Sequence, residues 1–208
     1  MNEGAITLLY TAHIEGKLEL LPRLFTLIKR QREQAAGPVL LFDLGDTCAA
    51  GSWVCRATLG RAPLLVLDSM GYDLALVGAG EHTPIPPDSL RTALGSLGMR
   101  VALWGRPREL QRHDRFFDII TGPLQPTAEK PALVINRDAP TLPAVGTSPP
   151  ILGDVPQGHL ACVQVDGPDW KVQAAELIAL ADDTPRDGTI AAVVEFVESE
   201  ARATRGNI

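Results

Sequence analysis

The chain has 208 residues, is 45% hydrophobic and 21% charged, and carries a formal net charge of -6. That length suits one sizeable domain, the apolar content excludes a disordered chain, and the acidic balance argues against nucleic-acid binding. No apolar run approaches the ~20 residues that span a bilayer, so no membrane partner is expected.

Ile6 to Ala12 is a short apolar run rich in β-formers and reads as a buried strand. Leu20, Leu24, Leu27 and Ile28 then recur at helical spacing, and Lys29, Arg30 and Arg32 put cations where a helix ends favourably. Gly37-Pro38 breaks that pattern, and Val39 to Phe42 reads as a second strand ending at Asp43-Leu44-Gly45-Asp46. A third unit follows: a helix from about Ala62 to Met70, a turn at Gly71 and a strand from Leu74 to Val77. In a fourth, Asp88 or Ser89 caps a helix to Leu97, before a strand from Val101 to Trp104. This alternation predicts a largely parallel sheet with helices on both faces. His13, Asp46 and Gly78 each follow a strand, so they should gather at the rim where such sheets bind ligands.

The second half changes character. Pro123 to Pro156 is dense in proline and reads as irregular, with one or two edge strands including Ala132-Leu133-Val134-Ile135. His159 to Val165 and Val172 to Leu180 flank Asp166-Gly167-Pro168-Asp169 and predict an antiparallel hairpin. Ile190, Val193, Val194 and Val197 mark one face of a closing helix that reaches Ala203. Without repeats or a long linker, residues 1–208 read as a single domain.

Cys48, Cys55 and Cys162 are an odd set without Cys-x-x-Cys spacing, so buried free cysteines are expected, and neither disulfides nor a zinc knuckle. Glu3 and the strand after it replace the basic start of a signal peptide, which predicts a cytoplasmic location. Gly45 to Ser52 lacks the lysine of a phosphate-binding P-loop, and the carboxylate of Asp46 disfavours Cys48 as a nucleophile.

Four segments carry more specific information. Leu8-Leu9-Tyr10-Thr11-Ala12-His13-Ile14-Glu15-Gly16-Lys17-Leu18-Glu19 follows the first strand, and Gly45-Asp46-Thr47-Cys48-Ala49-Ala50-Gly51-Ser52 follows the second. Met70-Gly71-Tyr72-Asp73-Leu74-Ala75-Leu76-Val77-Gly78 and Phe117-Asp118-Ile119-Ile120-Thr121-Gly122-Pro123-Leu124-Gln125 come later. In order and spacing they resemble the catalytic domain of the two-domain 5'-nucleotidases of the calcineurin-like metallophosphoesterase superfamily. There the corresponding segments run I-L-H-T-N-D-V-H-G-R-L-E, G-D-T-x-x-x-G-S, G-Y-D-A ahead of G-N-H-E, and D-V-I-I-G-G-H-T-H. The resemblance covers roughly residues 5–125 and 150–203. It implies an α/β fold: a layered β-sheet core flanked by helices, with a C-terminal β-hairpin and helix. No C-terminal nucleotide-binding domain is expected to follow.

The resemblance also implies a centre of two divalent metals about 4 Å apart that activates water and clamps phosphate. The D-x-H places hold His13 and Glu15, while Asp46 keeps the place of the bridging carboxylate. The asparagine ligand is replaced by Ala79 and the phosphate-facing histidine by Gly80, with Glu81 and His82 next at the rim. The two late histidines correspond to Pro123 and Gln125. No cofactor is therefore expected, or at most one divalent cation (Mn, Fe or Zn) on His13, Glu15, Asp46 and Gln125. In the other reading, His13 and Glu15 pair with each other or with backbone. The expected function is a non-catalytic metallophosphoesterase-fold protein, a pseudoenzyme that binds an unknown protein or a small phosphoester. The alternative is a metal-dependent phosphoester hydrolase with an altered, mononuclear site.

Overall fold

The computed structural model describes residues 5–78, 97–104, 108–112, 115–121, 132–166 and 170–205. The chain opens with β1 (Ile6–Thr11), a single 3-10 turn (Leu18–Leu20), α1 (Leu21–Gln34) and β2 (Val39–Asp43). There follow α2 (Trp53–Ala57), α3 (Arg61–Ser69), β3 (Leu74–Val77) and β4 (Arg100–Leu103). A second group comprises β5 (Arg108–Arg112), β6 (Arg115–Thr121), β7 (Ala132–Ile135) and β8 (Ile151–Leu152). The hairpin β9 (His159–Asp166) and β10 (Lys171–Ala179) leads to the final described helix, α4 (Gly188–Arg205).

These strands form two sheets. The larger has six strands in the order β10-β9-β1-β2-β3-β4, and the smaller has four in the order β5-β6-β7-β8. β1 through β4 run parallel, while β9 joins β1 antiparallel. In the smaller sheet β6, β7 and β8 are parallel and β5 is antiparallel to β6.

All six residues of β1 are buried, because both faces of the large sheet are covered. Strand side chains alternate between faces. Leu9 and Leu41 join one core with Leu24 and Ile28 of α1, Leu64 and Leu67 of α3, and Ile190 and Val194 of α4. Leu8, Tyr10, Leu40 and Phe42 face the other way and pack on Ile119, Leu133, Ile135 and Leu152 of the small sheet. Among the described residues the layers are therefore helix, sheet, sheet.

The expected layered β-sheet core flanked by helices, with a C-terminal hairpin and helix, is observed, and the one difference is that a second sheet lies on the far face of the six-stranded sheet. Among the described residues the helices share one core, and a second sheet takes the other face. Alternating strand and helix signals in the first half could not reveal that later strands would cover it. The proline-rich stretch holds two strands, as expected, but β7 pairs with both β6 and β8 and so is interior where an edge strand was expected. Most other expected elements sit within two residues of the observed ones, whereas α2, β5 and β6 were not expected as elements. The expected helix from Asp88 or Ser89 lies, apart from its end at Leu97, outside the described residues. Among the described residues no helix is long and apolar enough to cross a membrane.

Phe42 is fully buried between the two sheets, whereas Phe196 on α4 is 59% exposed. Phe42→Ala should cost about 3–5 kcal/mol of unfolding free energy and Phe196→Ala about 0.5 kcal/mol or less. Urea denaturation of the two variants checks this, and similar losses would contradict the layering.

Candidate functional site

The loops after β1 and β2 lie side by side. His13 N donates to Gly45 O at 3.1 Å, Glu15 N to Asp46 O at 2.8 Å, and Gly16 N to Thr47 O at 2.8 Å. To make these bonds His13, Glu15 and Asp46 adopt positive φ angles of 55, 56 and 53°. For non-glycine residues that region is sparsely populated, and it gathers at functional sites when surrounding structure enforces it. Gly16, at φ +73°, meets a further demand: a Cβ there would lie 2.3 Å from Ser52 Oγ and 2.7 Å from Cys55 Sγ. Only glycine lets α2 close against this loop.

The small sheet delivers its own residues to the same rim. Arg137 lies two positions past β7 and Asp154 two past β8, as His13 lies two past β1. One guanidinium nitrogen of Arg137, Nη2, stands 2.8 Å from Asp46 Oδ2, 3.1 Å from Asp154 Oδ1 and 2.9 Å from His13 Nε2. Its Nε also donates to Asp154 Oδ1 at 3.1 Å. The imidazole is held between the carboxylates, with Nδ1 3.2 Å from Asp46 and Nε2 2.7 Å from Asp154. Nε2 cannot both donate to Asp154 and accept from Arg137, so one of those two approaches is a packing contact. Burial opposes the charge of Arg137, but the hydrogen bonds and charges of Asp46 and Asp154 outweigh it and raise its pKa.

Glu15 turns to a second cluster. Gln157 donates to His13 O at 2.6 Å and to Glu15 Oε2 at 3.2 Å, while accepting from Lys17 Nζ at 2.6 Å. Lys17 Nζ is also 3.5 Å from Glu15. A glutamine thus joins the backbone of the His13 loop to an exposed ion pair.

Beneath the rim lies Asp43, wholly buried at the end of β2. It accepts from Thr47 Oγ1 at 2.8 Å, Gly45 N at 3.2 Å and Thr11 Oγ1 at 3.1 Å, and Thr11 is 3.0 Å from Tyr72 OH. Burial is the dominant influence, exceeding these hydrogen bonds, and pushes its pKa up to about 7. Burial also raises the pKa of Tyr72, so its phenol stays protonated.

Cys48 and Cys55 form a disulfide, against the expectation of free cysteines. The loop after Asp46 folds back into α2 and brings their Cα atoms to 5.8 Å, within the range a disulfide spans. An odd cysteine count does not exclude such a local bridge. Cys162 on β9 remains a free thiol, and burial raises its pKa.

No family model and no curated protein matches the sequence. Solved structures do match in shape. The sulfate thiohydrolase SoxB of Thermus thermophilus superposes with a TM-score of 0.67 at 12% identity, over 95% of this chain and 61% of that one. A 5'-nucleotidase precursor from Thermus thermophilus gives 0.65 at 13% identity, over 96% and 59%. A calcineurin-like phosphoesterase from Bacillus subtilis gives 0.63 at 11% identity, over 97% and 99%. This chain has the calcineurin-like phosphoesterase fold. It spans about three-fifths of the length of the nucleotidase and of SoxB.

On that fold the expected rim residues separate. His13 and Asp46 meet, whereas Glu15 is engaged by Gln157 and Lys17. Gln125, Glu81 and His82, together with Ala79, Gly80 and Pro123, lie outside the described residues. A metal on His13 and Asp46 would need ligand atoms about 2.0–2.2 Å away. Instead these groups and Asp154 close at 2.8 to 3.1 Å on a guanidinium nitrogen that is already cationic. With Arg137 in place the residues do not fit a metal, and among the described residues no group of His, Cys, Asp and Glu is set to hold one.

Sequence reasoning missed Arg137, Asp154 and Gln157. The available signal was the position of the first two just after apolar runs, at Ile135 and Leu152. Treating that stretch as irregular hid it. Gln157 carried no signal.

Two outcomes follow. The unfolded Asp43 carboxyl, near 3.8, loses its proton before the folded one, near 7. Its contribution is fully present below about pH 3.8 and fades until pH passes about 7, by a few kcal/mol in order of magnitude. Asp43→Asn, whose oxygen can accept from Thr47 and Gly45 and whose amide nitrogen can donate to Thr11 Oγ1, should gain stability relative to the parent between pH 4 and 7. A constant difference between their urea melts would refute the assignment. Reduction of Cys48–Cys55 should cost about 2–3 kcal/mol, read from melts with and without dithiothreitol.

Proposed function

We propose that the chain is a non-catalytic protein of the phosphoesterase fold, a pseudoenzyme that serves as a binding or interaction module. One observation carries the reading: Asp46, the carboxylate in the bridging-ligand place, is bound by Arg137 at 2.8 Å and lies 3.2 Å from His13. A side chain committed to a guanidinium and an imidazole is not available to clamp metals. We assign no catalytic residue and no cofactor.

The charge of the rim favours a protein partner over a small phosphoester. Glu15, Asp46 and Asp154 set three carboxylates against the cations of Arg137 and Lys17. A phosphate approaching this surface meets like charge, while the side chain of a protein partner need not. The acidic chain does not suit nucleic acid. We read residues 1–208 as one domain. The Cys48–Cys55 disulfide counts against the cytoplasmic location expected from the amino-terminal residues, since cytosolic thiols are kept reduced.

The alternative is a mononuclear phosphoester hydrolase, and the adjacency of His13 and Asp46 is what favours it. Elemental analysis of the purified protein, followed by assay on an aryl phosphate with Mn²⁺, separates the two. Metal-free protein without turnover is expected. Stoichiometric metal with turnover abolished by Asp46→Ala would establish the hydrolase instead.

A further inference from the structure

We propose that Arg137 is a built-in replacement for a divalent cation, and that removing its side chain opens a one-metal site on Asp46, Asp154 and His13. The inference rests on the non-catalytic reading and adds a cause for it. Metal exclusion would then be enforced by a residue of this chain, beyond the loss of ligands.

Geometry is the first argument. Nη2 of Arg137 is within 2.8, 2.9 and 3.1 Å of an oxygen, a nitrogen and an oxygen from three other chain segments. The three residues come from the ends of β2, β1 and β8, so the nitrogen sits where separate strand ends converge. The two N–H groups of Nη2 suffice for Asp46 and Asp154, with His13 Nε2 packed against the same nitrogen, so one atom stands among three segments. The side chains of Arg137, His13 and Asp46 are 18, 22 and 23% exposed and that of Asp154 is 37% exposed, so water screens the first three in part and Asp154 more fully.

Charge is the second argument. Asp46 and Asp154 contribute two negative charges around an imidazole, and Arg137 supplies a cation between them. Without the guanidinium, the carboxylates and His13 Nε2 form a mixed oxygen and nitrogen donor set that suits Mn²⁺ or Zn²⁺. A metal entering the parent protein must expel a tethered cation, whose effective concentration is on the order of millimolar or higher. The donors would then close inward from their present spacing to the shorter metal-ligand distance. That movement is why they are not set for a metal while Arg137 is present.

Lysine would not be equivalent. A guanidinium presents several donors in a plane, and Arg137 uses Nη2 on Asp46 and both Nε and Nη2 on Asp154. A compact ammonium cannot cover both carboxylates in the same way, so Arg137→Lys should exclude metal less well.

Calorimetric titration of Mn²⁺ and Zn²⁺ into the parent, Arg137→Ala and Arg137→Met tests the proposal, with circular dichroism confirming that each is folded. Arg137→Met keeps side-chain length and guards against collapse of the smaller variant. Either variant should bind one metal per chain, at least roughly tenfold tighter than the parent, and Asp154→Asn on that background should abolish the gain. Folded variants that bind no more tightly than an inert parent would overturn the proposal and leave the non-catalytic reading intact. Phosphoester turnover by the metal-loaded parent would overturn the non-catalytic reading, and metal bound by the parent on these residues would overturn both.

Discussion

The rim depends on the pairing of β1 with β2, which continues past both strands. Leu44 N donates to Thr11 O, and then His13, Glu15 and Gly16 bond in turn to Gly45, Asp46 and Thr47. Because the register runs through Leu8, Leu9 and Tyr10, which are fully buried, it cannot slip without turning core side chains to the wrong face. The loops inherit that rigidity. It is what holds His13 and Glu15 on one loop and Asp46 on the other at positive φ, a cost of about 1–3 kcal/mol each. Asp43 supports the arrangement from below by tying Thr11, Gly45 and Thr47 to one carboxyl group.

The second sheet supplies what the first cannot. β6, β7 and β8 run parallel, and the residues after β7 and β8 reach the same rim as those after β1 and β2. Gly153 makes this possible at β8, since a Cβ there would lie 2.0 Å from Pro140 O. That close approach brings the chain carrying Asp154 against the segment that follows Arg137. Four charged or titratable groups from positions 13, 46, 137 and 154 thereby share one small space. Asp154 is more exposed than the other three, so water weakens its pairs most, and the network links both sheets.

The first half was legible because its elements obey local rules. Apolar runs at β1 and β2, the 3.6-residue spacing in α1 and the Gly71 turn before β3 all announced themselves. The residues after those strands were accordingly the ones identified, and His13 and Asp46 do meet. Long-range facts were hidden. Nothing local says that β7, four residues amid prolines, would be an interior strand, or that Arg137 would cross 91 positions of sequence to reach Asp46. The disulfide was missed for a related reason. Its formation depends on the fold-back into α2, and residue spacing carries no trace of that turn.

A bound metal does two jobs in a centre built from loops: it supplies chemistry, and it cross-links the loops that hold it. This chain has other means for the second job. Arg137 bridges the loop after β2 to the segment after β8, Gln157 fastens the backbone of the His13 loop, and Cys48–Cys55 ties the Asp46 loop to α2. Several contacts at this rim also engage the side chains in the ligand places. Asp46 accepts from a guanidinium, His13 is lodged between carboxylates, and Glu15 is shared by Lys17 and Gln157. Cross-linking by side chains and coordination of a metal therefore compete for the same atoms. Where the side chains hold those atoms, the rim keeps the shape of the fold through contacts between the chain's own residues.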